Sequence, residues 1–208
     1  MIYLLRHGET VWNVDRRLQG QQDSPLTLRG IAQVRAVTAL LGELIADPAD
    51  FAVVASPLAR TWQTASIVCE GLGLAPGAIR FDDRLKEHDF GDWEGLLWAE
   101  VERDFPELWA AREADKWNFS VPGGESYAKV AARVGAWLEE HRDGPNLIVV
   151  SHGLAGRVLR GLYAGLTQQE VPGLFEPHGS VYRLAGGVVQ EFEVEAVRSE
   201  SAAALTRP

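Results

Sequence analysis

The chain opens with an uninterrupted apolar run, Ile2-Tyr3-Leu4-Leu5, that stops at Arg6-His7-Gly8. Two similar runs follow: Phe51-Ala52-Val53-Val54-Ala55, ending at Ser56-Pro57, and Leu147-Ile148-Val149-Val150, ending at Ser151-His152-Gly153. None alternates with a period of two, so each reads as a strand buried on both faces, as in the centre of a parallel sheet. Helical patterns separate them. Thr27 can cap a helix in which Ile31, Val34, Leu41 and Ile45 recur at helical spacing, with Val37 and Leu44 flanking the stripe; it runs to about Ala46. Residues 61–70 carry the pattern again, with Pro57 at the helix start and Gly71 and Gly73 at its end. Residues 126–141 place Val130, Val134, Trp137 and Leu138 on one side before Gly144-Pro145, and residues 153–164 form a helix closed by Gly165. Near the end, 180–184 and 188–193 flank Ala185-Gly186-Gly187 as the arms of a hairpin.

Strand-helix alternation of this kind predicts an α/β three-layer sandwich with a mostly parallel central sheet. One stretch breaks the rhythm. Residues 84–122 hold Trp93, Trp98, Trp109 and Trp117 among many acids, and read as short helices forming a small cap inserted into the domain. Residues 1–195 are therefore expected to form a single domain, and the small, polar residues 196–208 a flexible tail.

Composition narrows the partners. With 46% hydrophobic and 24% charged residues in 208, the chain is of globular type and neither disordered nor collagen-like. Its 20 Lys and Arg against 29 Asp and Glu give a net charge of -9, a field that repels nucleic acid and anionic membrane, so an anionic ligand needs a local basic pocket. No apolar run approaches the ~18 residues of a membrane span, and no basic leader precedes Arg6, which makes the expectation a cytoplasmic protein. The lone Cys69 permits no internal disulfide and no cysteine cluster for zinc, and reads as a small buried apolar residue. Association into a homodimer is left open.

In open α/β sheets, ligands bind beyond the carboxyl ends of the strands. There the first strand delivers Arg6 and His7, the second leads through Ser56-Pro57 to Arg60, and the third delivers His152. Arginine's planar fork of donors matches phosphate oxygens, the helix opening at Gly153 offers backbone N–H groups, and Asn13 offers an amide donor; no glycine-rich lysine motif is present. A neutral imidazole nitrogen in such a pocket is a competent nucleophile toward phosphorus. His7 and His152 both qualify, and its place at a strand terminus, where a backbone carbonyl can fix the tautomer, favours His7. The leaving oxygen then needs a proton, for which Glu87, Asp89, Asp92 and Glu94 are all candidates.

Leu5-Arg6-His7-Gly8-Glu9-Thr10 followed by Asn13 resembles the signature of the histidine phosphatase superfamily, the phosphoglycerate-mutase-like proteins. Ser56 to Thr64 resembles its second block, Leu85-Lys86-Glu87 through Phe90-Gly91-Asp92-Trp93-Glu94-Gly95 its third, Ser151-His152-Gly153 its last, and Pro122-Gly123-Gly124-Glu125-Ser126 recurs in its smaller members. The resemblance implies a phosphohistidine mechanism with His7 as nucleophile, Glu87 as proton donor, and Arg6, Asn13, Arg60 and His152 around the phosphate, beside the backbone N–H groups already read at Gly153. It implies a phosphomonoesterase acting on small-molecule esters without metal or cofactor; Arg6 and Arg60 would repel a divalent cation, and no His-Glu-x-x-His spacing occurs.

The alternatives are a cofactor-dependent phosphoglycerate mutase and a non-catalytic phosphate-binding or scaffold protein on the same fold. Against the mutase, His88-Asp89-Phe90 follows Glu87 where mutases carry a run that helps to hold the substrate carboxylate, and the cap has Arg103, Arg112 and Lys116 without a paired basic run. Against the scaffold, no catalytic residue is missing. His88, His141 and His178 read as ordinary residues, with a place at the pocket border as the alternative for His178, beside Gly179-Ser180; Tyr127 and Glu125 are candidates for the pocket rim. The cap tryptophans read as packing rather than as a substrate surface.

Overall fold

The computed structural model describes residues 1–194. Its strands are β1 (Ile2–Arg6), β2 (Phe51–Ala55), β3 (Arg80–Phe81), β4 (Asn146–Ser151), β5 (Ser180–Ala185) and β6 (Val188–Glu193), and they form one sheet in the order β3-β2-β4-β1-β5-β6. The first four are parallel, whereas β5 runs antiparallel to β1 and carries β6 as a hairpin. The helices are α1 (Val11–Val14), α2 (Leu28–Leu44), α3 (Ala59–Gly71), α4 (Trp98–Asp104), α5 (Pro106–Ala114), α6 (Tyr127–His141) and α7 (Gly153–Tyr163).

The unbroken apolar runs follow from three layers. Successive side chains of a strand point to opposite faces, so Ile2, Leu4, Leu147 and Val149 meet α6 and α7 on one side, while Tyr3, Leu5, Ile148 and Val150 meet α2 and α3 on the other. Each fully buried leucine or valine contributes about 1.5–3 kcal/mol. α2 begins at the cap the sequence places, Thr27, whose Oγ1 accepts from the Gly30 N–H, and α6 is capped by Ser126, whose Oγ accepts from the Lys129 N–H.

Residues 83–121 leave this frame. Two short 3-10 turns, α4 and α5 bury Trp93, Val101 and Val121 around Leu18, and Phe90, Phe105 and Trp109 pack against them. The segment is laced to the body through Leu18, which donates its N–H to Leu96 O at 2.9 Å and accepts the Gly95 N–H at 2.7 Å. Thus the cap tryptophans mostly pack.

Some boundaries differ from the sequence pattern. α2 stops at Leu44, because Ile45 turns extended, and α3 begins at Ala59, two residues after Pro57. The edge strand β3 and the single turn α1 escape the pattern, being too short to show a period. The expected tail at 196–208 lies outside the described residues.

One close approach ties the fold to its functional edge. The chain leaving β1 passes so near α2 that a Cβ on Gly30 would lie 2.1 Å from Glu9 O, and one on Gly8 2.5 Å from Gly30 O. Glycine inside a helix normally costs about 1 kcal/mol relative to alanine. Here the sign should reverse: Gly30→Ala forces backbone apart, and is expected to destabilise the protein by roughly 1–3 kcal/mol in denaturant unfolding. A variant as stable as the parent would show that the Gly8–Glu9 turn yields freely.

Candidate active site

Neighbouring strands β1, β4 and β2 end together, and their continuations meet. His7 directly follows β1, is 3% exposed, and donates its backbone N–H to Ser151 O at 3.1 Å. Its Nδ1 lies 2.8 Å from Gly8 O. A carbonyl can only accept, so Nδ1 carries the proton and Nε2 keeps its lone pair. His152 is fully buried with its ring centroid 5.3 Å from that of His7. Its Nδ1 accepts from Arg60 Nε at 3.2 Å, which leaves the proton on Nε2, 2.8 Å from Ser56 Oγ. The sequence left either histidine able to attack; in this geometry His152 has both nitrogens engaged and His7 has one free.

Arg60, in the first turn of α3, is 1% exposed. Its Nη1 donates to Gln22 O at 2.7 Å and Asp23 Oδ1 at 2.8 Å, and Nη2 to Gly20 O at 2.6 Å. Asp23 also accepts the Ala59 N–H at 2.8 Å, so it caps α3 from a distant loop and holds that helix's arginine. Arg6 donates from Nη1 to Glu176 O at 2.6 Å, and its buried Nε has no partner. Gly153 makes room for that guanidinium, since a Cβ there would lie 3.2 Å from Arg6 Cζ. α1 holds Asn13 by a reciprocal cap with Thr10: Asn13 Oδ1 accepts the Thr10 N–H at 3.0 Å, which leaves the amide nitrogen as the donor for a ligand.

Of the four candidate carboxylates, only Glu87 lines the cavity that contains Arg6, His7, Asn13, Arg60 and Gly153, a space of about 310 Å³. Asp89 accepts from the Gly91 N–H, and Glu94 from the Gln21 N–H at 2.6 Å. The α7 N–H groups expected to face a phosphate are taken differently: Leu154 donates to Glu87 Oε2 at 3.1 Å and Ala155 to Oε1 at 3.0 Å. The carboxylate occupies the anion position of that helix end. A larger groove of about 540 Å³, lined by Leu26, Ile31, Trp62 and Ile67 among others, contains no ionisable lining group, so the chemistry collects in the smaller space.

Sequence reading missed several lining residues. Arg17, Arg112 and Arg157 join Arg6 and Arg60, which makes five arginines to one acid, and Phe90 and Trp98 add aromatic surface. Arg157 was traceable, because it lies four residues after Gly153 and so on the same face of α7. The Arg112 guanidinium lies 4.6 Å from the Trp98 ring centroid, a contact between two helices that no local spacing announces. Tyr127 does reach the rim, whereas Glu125 is turned to Arg133 at 2.9 Å. His178 stands behind His7, with its ring centroid 5.6 Å from that of His7 and its Nδ1 donating to His7 O at 2.9 Å. Among the described residues, no cluster of three or more His, Cys, Asp or Glu side chains converges as a metal site, and no helix is long and apolar enough to cross a membrane.

All three histidines are held neutral. Burial, reinforced by Arg60 and Arg6, pulls His7 and His152 well below the usual imidazole range, and burial, with Arg6, lowers His178 to about 3. An unfolded chain protonates these imidazoles below pH ~6.5 while the fold resists, so their stabilising contribution is complete above that pH and is lost as the pH falls. The unfolding free energy should therefore drop between pH 6.5 and 4. His178→Asn should make that slope shallower by about one proton. An unchanged slope in denaturant titrations would mean that His178 titrates alike in both states.

Comparison with known proteins agrees with this geometry. The description Histidine phosphatase superfamily (branch 1) matches residues 2–193. The chain is 36% identical over 177 residues to proteins called probable phosphoglycerate mutase GpmB from Salmonella paratyphi C and Escherichia coli, covering 79% of this chain and 75% of theirs. Among solved structures, a putative α-ribazole-5′-P phosphatase from Escherichia coli K-12 superimposes with TM-score 0.78 at 26% identity, covering 93% and 94% of the two chains. A mycobacterial glucosyl-3-phosphoglycerate phosphatase complexed with VO3 does so with TM-score 0.75 at 31% identity, covering 92% and 96%. The fold, the converging Arg6, His7, Arg60, Glu87 and His152, and the match over nearly the whole described chain make it a member of the histidine phosphatase superfamily, branch 1.

Proposed function

We propose that the protein is a phosphomonoesterase that hydrolyses small-molecule phosphate esters through a phosphohistidine on His7. The observation that carries this reading is a buried, neutral imidazole with Nε2 free, in a cavity of five arginines and a single carboxylate. Nε2 attacks phosphorus in line, the P–O bond to the alcohol breaks, and Glu87 gives its proton to the leaving oxygen. Arg6, Arg60 and the Asn13 amide stabilise charge on the equatorial oxygens. Water then attacks the phosphohistidine, its proton passes to Glu87, and the P–N bond breaks to return the electron pair to Nε2 and release inorganic phosphate. His152 acts through Arg60, whose Nε it holds.

A second reading, the phosphoglycerate mutase, gains support from Arg17, Arg112 and Arg157. These exceed what one phosphate needs, and a second anionic group on the substrate would occupy them. The products decide between the two. Given 3-phosphoglycerate with a 2,3-bisphosphoglycerate primer, the phosphatase releases inorganic phosphate faster than it forms 2-phosphoglycerate; the mutase does the reverse.

Incubation with a labelled monoester should give a base-stable, acid-labile phosphoenzyme, and His7→Ala should remove both label and turnover while the circular dichroism spectrum is retained. A label that persists in His7→Ala, or that disappears with His152 instead, would overturn the assignment. For Glu87, the leaving group is the probe. An alkoxide needs a proton to depart and p-nitrophenolate does not, so Glu87→Gln should slow alkyl phosphates at least ~10²-fold while p-nitrophenyl phosphate loses far less. Equal losses on both would leave Glu87 as a positioning group.

A further inference from the structure

Behind the cavity wall lies a buried ion pair that the chemistry above does not use. Glu176 is 2% exposed and Arg160 7%. Arg160 Nη2 donates to Glu176 Oε2 and to Phe175 O, both at 2.5 Å, and its guanidinium lies 3.7 Å from the Tyr182 ring centroid. Gly156, one turn earlier on α7, opens the space, since a Cβ there would lie 3.0 Å from Glu176 Oε1. Neither Glu176 nor Arg160 lines the cavity.

The pair holds the short segment that holds the site. Glu176 O accepts Arg6 Nη1 at 2.6 Å, and two residues later His178 Nδ1 donates to His7 O at 2.9 Å. Both consecutive residues at the end of β1 are thus tied to one irregular stretch, and that stretch is fastened to α7 through Arg160. We infer that Glu176 and Arg160 are positioning residues for the phosphoryl-transfer step: they fix the 175–178 segment so that Arg6 presents its unpartnered Nε edge, and His7 its Nε2, in one orientation.

Stability alone does not account for the pair. A buried ion pair is often matched or bettered by apolar side chains of the same volume. Burial pushes the Glu176 carboxyl up to about 7 despite Arg160 and Arg6, and Glu176 Oε1 and Arg160 Nε remain without partners. The pair therefore carries an uncompensated burial cost. What it does supply is direction. One edge of the Arg6 fork is committed to a carbonyl, and the planarity of guanidinium then aims the other edge. Misplacement of such a group by about 1 Å can cost 10²-fold in rate.

The inference rests on the phosphohistidine reading, and the experiment separates the two. Glu176→Ala should lower kcat about 10–100-fold with KM little changed, and weaken inhibition by vanadate, a mimic of five-coordinate phosphorus, by a similar factor. Glu176→Gln should recover most of the rate, because its amide oxygen can still accept from Arg160. The double variant Arg160→Met with Glu176→Met removes both charges without stranding one; it should fold with a Tm near the parent's and still show the loss in kcat. A double variant that folds and turns over at the parental rate, while His7→Ala is inactive, overturns the positioning role and leaves the phosphohistidine reading standing. Loss of Tm and a raised KM at parental kcat would likewise overturn it. If His7→Ala itself turns over and takes label, the failure is that of the phosphohistidine reading.

Discussion

The site depends on the parallel pairing of β1 with β4. Their register sets Leu5 opposite Val150 and Arg6 opposite Ser151, so His7 and His152 leave the sheet side by side. On the far side of β4, Ala55 of β2 lies opposite Val150, which brings Ser56 to the height at which it can bond His152 Nε2. A slip of one residue in β1 would turn Leu4 and Leu5 to the wrong faces and carry His7 away from His152. Two apolar layers of the core hold the register, and the register holds the chemistry.

The cavity must be positive in a chain whose net charge is -9. Counter-ions would cancel the field they were meant to hold in place. The structure instead pins its arginines largely with backbone carbonyls: Gly20 O and Gln22 O on Arg60, Glu176 O on Arg6, Gly95 O on Arg17, and Pro172 O on Arg157. A carbonyl satisfies a donor and leaves the charge unpaired. Asp23 is the exception at Arg60, and it also caps α3. With the histidines kept neutral by the same burial, the positive charge of the cavity is carried by arginine, and the proposed mechanism needs the imidazole in that neutral form.

Much of this is legible in the chain because the strands are apolar throughout and stop at polar residues. Ile2 to Leu5, Phe51 to Ala55 and Leu147 to Val150 announce buried strands, and the residues that end them announce the site. What is not legible is held by groups without a side-chain signature. Nothing in Gly20 or Gln22 marks their carbonyls as partners of Arg60, and Asp23 reaches α3 across 36 residues of sequence. Arg17 is missed and Arg112 is discounted for a related reason: residues spread along a chain, without a paired basic run, still converge in space. The N-terminus of α7 was expected to hold phosphate and holds Glu87, because a carboxylate satisfies the same N–H groups and was already tethered nearby.

That last arrangement separates chemistry from specificity. Glu87 sits where the chain departs toward the cap, and a mobile cap would disturb its alignment if the two moved together. The body of the protein holds Glu87 in place. Leu154 and Ala155 of α7 hold the Glu87 side chain, Ser151 Oγ donates to Leu85 O at 2.9 Å, and Arg133 of α6 donates to the carbonyls of Arg84, Lys86 and Glu87. The stretch 84–87 is therefore fastened to the same helices and strand that set His7 and His152. Phe90, Trp98 and Arg112 come later in the chain, on elements packed around Trp93, and none of them takes part in the hydrogen bonds that hold Glu87. On the proposed phosphohistidine reading, an architecture divided in this way would let one set of reacting groups serve different alcohols, with the side chains of residues 90–112 selecting among them.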